Sequence, residues 1–333
     1  MRPPDFWSRD GAASILLAPA GALYGAAVSW RAARAPSWRA PVPVVCVGNI
    51  GVGGAGKTPA AIAIGRRLAS WGLMIAFLSR GYGGRLPGPV RVDTSKHGSA
   101  DVGDEPLLLA EVGPAWVARE RVDGARVAIA EGADVVIMDD GLQNPALAKD
   151  VSLVVVDGGY GFGNGRVLPA GPLREPVDSA LRRATAVIVV GDDEHGIAQS
   201  IGTRRPALAA RLRPAQNAAE LRGRRVVAFA GIGRPAKFFA TLVELGAEIV
   251  AREEFADHHA YTPDEAMRLA ETAASVGAIA VTTAKDHVRL PVGARAMIAR
   301  VDVELVFDDE RAIDAILRPA FSNPTAGARS AHG

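Results

Sequence analysis

The residues best suited to chemistry lie in one glycine-rich segment, Gly51-Val52-Gly53-Gly54-Ala55-Gly56-Lys57-Thr58, which fits the phosphate-binding pattern G-x-x-x-x-G-K-[ST]. Glycines let backbone N–H groups turn toward phosphate oxygens, Lys57 supplies a mobile positive charge, and Thr58 offers a hydroxyl to Mg²⁺. A glycine-rich turn without a ligand would not need the lysine, and the whole chain has only five lysines. We therefore predict a nucleotide site at residues 51–58.

A second candidate is a pair of carboxylates at the end of an apolar run, residues 135–141 (VVIMDDG). Phosphate-loop enzymes place an acidic side chain beside Mg²⁺ in this way. The alternative is an ordinary turn after a strand, in which Asp-Gly is common. We predict that Asp139 and Asp140 lie at the metal site with Thr58 and that one of them faces the ion.

ATPases, GTPases and kinases share these features, and three further observations narrow the class. No asparagine is followed by lysine, so the sequence lacks the N-K-x-D element with which GTPases read guanine. Position 52 is valine, so the extra loop lysine of the membrane-positioning ATPases is also missing. An uncharged segment at residues 11–30 precedes the loop, which favours a lipid as the acceptor.

Length and composition set outer limits on the architecture. At roughly 100 to 200 residues per domain, a length of 333 residues allows two compact domains, and 49% apolar side chains are ample for a core in each. Disordered, collagen-like and coiled-coil proteins are therefore excluded. A formal net charge of +2 gives no reason to expect a nucleic-acid partner. The single cysteine, Cys46, excludes an intrachain disulfide and suits a reducing compartment.

The phosphate loop needs a strand before it and a helix after it. Residues 42–47 are an apolar run of the kind that forms a buried parallel strand, and an Ala/Ile/Leu helix is predicted to begin near Lys57. Further strands are predicted at residues 73–78, 135–138, 151–156 and 186–190. This order predicts a P-loop NTPase-like α/β fold, a doubly wound and mostly parallel sheet, over residues 41–215.

A polar, Arg- and Pro-containing stretch at residues 203–223 is interpreted as a domain boundary. A smaller α/β domain is predicted for residues 216–322, with strands near 226–230, 248–251, 279–282 and 299–303. One of its helices is signalled by a capping box, Thr262-Pro263-Asp264-Glu265. Residues 323–333 are small and polar and are expected to form a flexible tail.

The N-terminal 40 residues are predicted to form a membrane-associated helical segment. Residues 11–30 are long enough to cross a bilayer, but their Ala and Gly content makes a helix lying in the interface equally reasonable, and we slightly favour the latter. Trp7, Trp30 and Trp38 flank the stretch as interfacial anchors would. A buried packing helix and a cleaved signal peptide are the alternatives, and the nucleotide site that follows argues against export.

Several short segments form a distinctive ordered set: residues 47–50 (VGNI), 78–83 (LSRGYG), 102–106 (VGDEP), 139–143 (DDGLQ), 163–165 (GNG), 168–175 (LPAGPLRE), 230–233 (AGIG), 257–258 (DH) and 283–286 (TAKD). Taken together with the phosphate loop, this set resembles the motifs of the tetraacyldisaccharide 4′-kinase family, the lipid A 4′-kinases, over most of the chain. One departure is Asn144, where that family usually has His, which puts the role of this side chain in doubt.

This resemblance implies transfer of the ATP γ-phosphate, with Mg²⁺, to the 4′-hydroxyl of a tetraacylated glucosamine disaccharide 1-phosphate. It also implies a place at the cytoplasmic face of the bacterial inner membrane, in contact with its lipid, as a peripheral protein or through a single N-terminal anchor. No obligate protein partner is evident. The alternative function is a membrane-associated ATPase that switches partners and has no small-molecule acceptor.

A sugar hydroxyl is a poor nucleophile, so the reaction needs a base. Asp104 precedes an apolar helical stretch, and its plainest role is that of an N-cap. The resemblance instead implies that Asp104 forms a catalytic dyad with His258, which would have to form across the cleft between the domains. Acyl-chain preference, oligomeric state and the extent of domain closure are not determined by the sequence.

Cations must absorb the charge that develops on the transferred phosphoryl group. We expect Lys57, with Asp139 at the metal, to take part in catalysis, and Arg80 to assist from its glycine-flanked turn after a predicted strand. Arg119 and Arg121 are further candidates. The pair Lys285-Asp286 resembles a base-reading element but is nearly as well explained by a salt-bridged turn, and we assign it no catalytic role.

Overall fold

The computed structural model describes residues 4–34 and 38–322. The strands are β1 (Val44–Gly48), β2 (Ile75–Ser79), β3 (Val90–Arg91), β4 (Ala115–Val117), β5 (Val135–Asp139), β6 (Val151–Asp157), β7 (Ala186–Val190), β8 (Ala207–Pro214), β9 (Arg225–Ala230), β10 (Glu248–Glu254), β11 (Ile279–Thr283), β12 (Ala299–Val301) and β13 (Val303–Phe307).

The α-helices are α1 (Ala12–Arg34), α2 (Lys57–Ser70), α3 (Ser99–Val102), α4 (Asp104–Ala110), α5 (Arg121–Ala130), α6 (Val177–Arg183), α7 (Ile197–Ile201), α8 (Pro235–Glu244), α9 (Pro263–Ser275), α10 (Ala284–His287), α11 (Val292–Arg295) and α12 (Glu310–Leu317). Short 3₁₀ turns occur at Asp5–Trp7, Gly202–Arg204, Gln216–Leu221 and Arg318–Phe321.

The larger sheet has nine strands in the order β13-β8-β7-β6-β1-β5-β2-β4-β3. Seven adjacent strands, from β8 to β4 in this order, run parallel to one another. The two edge strands, β13 and β3, pair antiparallel with β8 and β4. Helices cover both faces: α2, α4 and α12 bury apolar side chains on one face, and α5 and α6 do so on the other. The predicted doubly wound, mostly parallel fold is confirmed, and β1, which leads into the phosphate loop, lies near the middle of the sheet.

The smaller sheet is fully parallel, in the order β10-β9-β11-β12. Helix α8 packs on one face and α9 on the other. The capping box of α9 is present, because the Thr262 hydroxyl accepts from the Glu265 N–H at 3.2 Å and the Glu265 carboxylate accepts from the Thr262 N–H at 2.9 Å. This domain is thus arranged to hold the loops after β9 and β11 at one edge.

After β12 the chain returns to the larger sheet, whereas we had predicted that residues 216–322 form the smaller domain. The strand predicted at 299–303 is broken at Asp302, whose carbonyl accepts from the Ala215 N–H at 2.9 Å. Beyond it, Leu305 and Phe307 are buried in the core of the larger sheet, and β13 pairs with β8. Strand β8 itself lies within the stretch interpreted as a boundary. The smaller sheet therefore ends at Val301, and the residues after it belong to the first domain.

Helix α1 lies against the larger domain along one face. Ser14, Gly21 and Gly25 are buried, and a side chain at Gly21 would come within 2.7 Å of the Val167 carbonyl. The opposite face exposes Leu16 and Leu23, at 82% and 75%. By length and composition, Ala12–Trp30 is also the one described helix that is able to cross a membrane.

Two of the flanking tryptophans are half-buried against the larger domain. Trp7 donates its indole N–H to the Pro169 carbonyl at 3.2 Å, and Trp38 packs against the buried cluster beneath α5 and α6. The predicted tail at residues 323–333 lies outside the described residues.

Candidate active site

The phosphate loop leaves the carboxyl end of β1 and enters α2 at Lys57. Gly53 and Gly56 adopt positive φ values of 120° and 88°, which favour glycine, so the pattern's glycines are needed for the turn. Lys57 makes no hydrogen bond or ion pair within the described residues, so its amine is available for a ligand. The loop therefore presents helix-end N–H groups and a mobile cation to one point, as an anion site requires.

Thr58 and Asp139 meet beneath this loop. The Thr58 hydroxyl donates to Asp139 Oδ2 at 3.0 Å, while Asp139 Oδ1 is buried without a hydrogen-bond partner. Burial, followed by the negative charge of Glu105, raises the pKa of Asp139 to about 7, although Lys57 acts in the opposite direction. A hydroxyl beside an unsatisfied carboxylate oxygen is a donor set that suits Mg²⁺.

Asp140 occupies the turn after β5 with φ 56°, and its N–H donates to the Val47 carbonyl at 2.9 Å. Its carboxylate accepts from Arg174 Nη1 at 3.1 and 3.0 Å. Burial opposes ionisation, but Lys57 and Arg174 outweigh it and lower the pKa of Asp140. Asp140 is therefore ionised at neutral pH, where Asp139 is only partly so. Arg174 lies in a matched segment, but we had given it no role.

The rest of that turn is structural. Gln143 donates to the Asn49 carbonyl at 3.0 Å and to Glu175 at 3.1 Å, which ties the turn to the start of the phosphate loop. Asn144 Oδ1 accepts from the Ala146 N–H at 3.1 Å and shapes the following turn. The departure at Asn144 therefore lies in a turn, and its side chain is engaged with the backbone.

Asp104 lies at the start of α4 and is 5% exposed. The N-cap of this helix is Gly103, so the interpretation of Asp104 as an N-cap is wrong. Its Oδ2 is instead 2.8 Å from Nδ1 of His258, which follows β10 in the smaller domain and adopts a left-handed φ of 60°. The ring of Tyr82 lies edge-on to this imidazole, with centroids 5.7 Å apart. The structure thus brings Asp104 and His258 together across the cleft.

Arg289, which sequence reasoning missed, completes this cluster. Its Nε and Nη2 lie 2.7 and 2.6 Å from the same Asp104 Oδ2. Burial opposes ionisation of Asp104, but the hydrogen bonds from His258 and Arg289 outweigh it and lower the pKa of this carboxyl group. Arg289 lies three residues after Asp286, and this spacing carries no local signal of such a role.

The Lys285-Asp286 pair forms a structural turn. Lys285 donates to Glu105, the neighbour of Asp104. Asp286 is fully buried and accepts from the Gly231 N–H and the Tyr261 hydroxyl, both at 2.9 Å. Since these atoms are already engaged, the salt-bridged turn accounts for the pair better than a base-reading element does.

The candidate arginines differ in exposure. Arg80 is exposed, and it makes no ion pair within the described part of the chain. Arg121 is buried, donates to the Ala118 carbonyl at 2.6 Å and leaves Nε without a partner. Burial, followed by the charge of Arg80, lowers the pKa of Arg121 to about 10. Two positive charges therefore lie at the edge of the site, near the carboxylates of Asp139 and Asp140.

Comparison with known proteins agrees with this geometry. Residues 13–322 match the family model described as tetraacyldisaccharide-1-P 4′-kinase. The chain is 54% identical over 321 residues to the tetraacyldisaccharide 4′-kinase of Rhodospirillum rubrum, with 95% of this chain and 97% of that protein covered. The protein of the same description from Paramagnetospirillum magneticum is 54% identical over 322 residues, with 96% of this chain and 98% of that protein covered.

A solved structure is also similar to this chain. The crystal structure of the "apo" form of LpxK from Aquifex aeolicus in complex with ATP superposes with a TM-score of 0.75 at 26% identity, and it covers 92% of this chain and 99% of that one. The likeness therefore extends over both domains.

Proposed function

Because the chain belongs to the tetraacyldisaccharide-1-P 4′-kinase family, we propose that its two carboxylate sites divide one phosphoryl transfer between them. The protein is an ATP-dependent tetraacyldisaccharide 4′-kinase, which moves the γ-phosphate of ATP to the 4′-hydroxyl of a tetraacyldisaccharide 1-phosphate in lipid A biosynthesis. The observation that supports the division is the pair of buried carboxylates, one next to the phosphate loop and one across the cleft.

The first site binds and polarises the nucleotide. Lys57 and the N–H groups of residues 51–58 hold the phosphates, and Lys57 follows the charge that develops on the γ-phosphate. Thr58, Asp139 and Asp140 would hold Mg²⁺, which neutralises charge on the phosphate oxygens when it is bound. Asp140 is already paired with Arg174, so Asp139 is the better candidate for a direct ligand.

The second site acts on the acceptor. Asp104 is ionised and faces the cleft, and His258 Nδ1 donates to it. The carboxylate orients the imidazole, and together they remove the proton of the 4′-hydroxyl as it attacks phosphorus. Because the two residues come from different domains, this step requires the cleft to be closed around the acceptor. Arg80 and Arg121 are the cations at the edge of the site that would reduce the charge of the transferred group.

Acceptor dependence tests the function directly. Incubating the protein with Mg²⁺-ATP and the acylated disaccharide 1-phosphate should give a doubly phosphorylated lipid, with one ADP released for each product. ATP hydrolysis at a rate indifferent to this lipid would contradict the kinase function. It would favour the partner-switching ATPase, which the family membership does not support.

We further propose that the protein lies at the cytoplasmic face of the inner membrane, with α1 in the interface. One face of α1 is packed on the larger domain near Val167 and Pro176. This packing favours a helix that lies in the interface over one that leaves the domain to cross the bilayer. The outer face of α1 offers Leu16 and Leu23 to lipid.

A double substitution tests this placement. Leu16→Glu with Leu23→Glu should reduce sedimentation with anionic lipid vesicles and lower turnover of vesicle-borne acceptor about tenfold, while ATP affinity stays unchanged. Val292→Glu is the matched control, since Val292 is 80% exposed but lies on the smaller domain. Equal vesicle binding by the double variant and the control would place the membrane contact elsewhere.

A further inference from the structure

A buried guanidinium lies behind the proposed base. Arg289 follows α10, and its side chain is only 3% exposed. Nη1 donates to the Gly231 carbonyl at 2.7 Å and to Asp286 Oδ1 at 3.0 Å, while Nε and Nη2 point to Asp104. The guanidinium is thus held from three sides, and a group this buried does not itself touch the acceptor.

We propose that Arg289 is a positioning residue for the phosphoryl transfer, because it keeps Asp104 as an oriented carboxylate and places the proton of the neutral imidazole of His258 on Nδ1. This inference rests on the proposed function of Asp104 and His258 as the pair that acts on the acceptor hydroxyl. It adds Arg289, from the smaller domain, as the residue that orients Asp104 and His258 for proton transfer.

The hydrogen bonds around Asp104 set the direction of each proton. Oδ2 receives Arg289 Nε at 2.7 Å and faces His258 Nδ1 at 2.8 Å. A carboxylate only accepts, and Asp104 Oδ2 lies closer to Nδ1 than Arg289 Nη2 does, at 2.8 Å against 3.4 Å, so Nδ1 donates to Asp104. When the ring is neutral, Nε2 keeps its lone pair. Asp104 Oδ1 makes no hydrogen bond within residues 4–34 and 38–322, so it is left for the acceptor. Asp104 and His258 therefore have two atoms free to take a proton, Oδ1 of the carboxylate and Nε2 of the ring.

The other charges near Asp104 show why the arginine matters. Glu105 on the same helix is negative but is paired with Lys285, and Asp286 is negative and contacts Arg289. Asp257 lies 3.9 Å from the far side of the His258 ring. Without Arg289, Asp104 would keep only His258 as a direct partner, and Asp286 would lose its cation. A buried carboxyl group in that position would hold its proton more tightly.

Lysine is not equivalent to arginine here. A lysine at 289 would keep the positive charge but not the planar fork that reaches Asp104, Gly231 and Asp286 together. We therefore expect Arg289→Lys to position Asp104 and His258 in part and Arg289→Gln not to position them.

The test compares pH profiles of kcat and kcat/KM for Arg289→Gln, Arg289→Lys and Arg300→Gln. Arg300 is the matched control, because it also bridges the two domains, through a bidentate pair with Glu111 at 2.8 and 2.7 Å, but does not touch Asp104. Arg289→Gln should lower kcat about 10- to 100-fold at pH 7, with the KM for ATP within about twofold. Arg289→Lys should fall between this variant and wild type.

The pH dependence separates positioning from simple domain docking. Removing the cation raises the pKa of Asp104, so a higher pH is needed to ionise it, and the acidic limb of the Arg289→Gln profile should move up by about one pH unit or more. Arg300→Gln should not move it. If Arg289→Gln melts well below wild type, the acidic limb of the Arg289→Lys pH profile is used for the test instead. An acidic limb that does not shift in that variant overturns the proposal.

Two other outcomes are equally decisive. A pH-independent loss of activity that is the same in Arg289→Gln and Arg300→Gln means that Arg289 only docks the domains, and the proposal fails. Asp104→Asn and His258→Gln are measured in parallel. Full turnover in those variants would refute the proposed base, whereas strong losses there with a normal Arg289→Gln would refute only the role of Arg289.

Discussion

Asp139 and Asp104 are buried to nearly the same degree, 2% and 5% exposed, yet their proton affinities shift in opposite directions. Asp139 has a hydroxyl partner and one unpartnered oxygen, and burial raises its pKa to about 7. Asp104 has His258 and Arg289 on one oxygen, and these lower its pKa despite burial. The difference is that Asp139 has no cation in direct contact among residues 4–34 and 38–322, whereas Asp104 is in contact with Arg289.

The two sites also differ in how the chain builds them. Asp139 ends β5, and Thr58 lies in α2, which follows β1 and the phosphate loop. Since β5 pairs with β1, the two residues are brought together by neighbouring strands of one sheet. Asp104 and His258 are 154 positions apart and belong to different domains. The first site therefore depends on the arrival of a ligand, and the second depends on the relative position of the domains. Variants at each should fail in different ways.

The largest effect is expected for Lys57→Ala, on the ligand-dependent side. A cation aimed at phosphate charge in a dry site is worth several kcal/mol, so turnover should fall by at least about 10³-fold. Initial rates at saturating ATP and acceptor measure this. Lys96→Ala is the control, because Lys96 is exposed and pairs only with Asp93. A Lys57→Ala protein with more than about a tenth of wild-type turnover would show that the loop has been assigned wrongly.

On the domain-dependent side, Asp104→Ala and His258→Ala should each lower turnover by about 10² to 10⁴. ATP affinity should change little, because neither side chain contacts the phosphate loop. If the two residues act as a unit, the double variant should be scarcely slower than either single variant. Fully additive losses in this cycle would mean that the 2.8 Å contact is structural and not catalytic.

The smallest effect is expected in the Mg²⁺ requirement. It should depend on pH because Asp139, unlike Asp104, has a raised pKa. A proton competes with Mg²⁺ for Asp139, so the Mg²⁺ concentration that gives half-maximal rate should rise as pH falls below about 7, by at most about tenfold per unit. Thr58→Ala should need more Mg²⁺ at every pH and be partly rescued by it. Titrations between pH 6 and 8 test this, and a Mg²⁺ requirement that does not change with pH would contradict the proton affinity ascribed to Asp139.

Several features of this protein can be read along the chain. The phosphate loop and the capping box of α9 depend on residue types at fixed short spacing, so the sequence predicts them. The strand that ends at Asp139 is predicted by its continuous apolar run, although its hydrogen bonds go to the distant strands β1 and β2. The nearness of Asp104 and His258 was implied by the family resemblance, but neither residue's surroundings alone predicted the contact.

The remaining features depend on packing between distant segments. No local pattern marks Arg289 as the partner of Asp104 or Glu105 as that of Lys285, because each pair forms only when the two domains dock. The return of β13 to the larger sheet likewise depends on which edge strand is free to pair. The opposite proton affinities of Asp139 and Asp104 arise for the same reason: both lose water on burial, and the three-dimensional structure places a cation against only one of them.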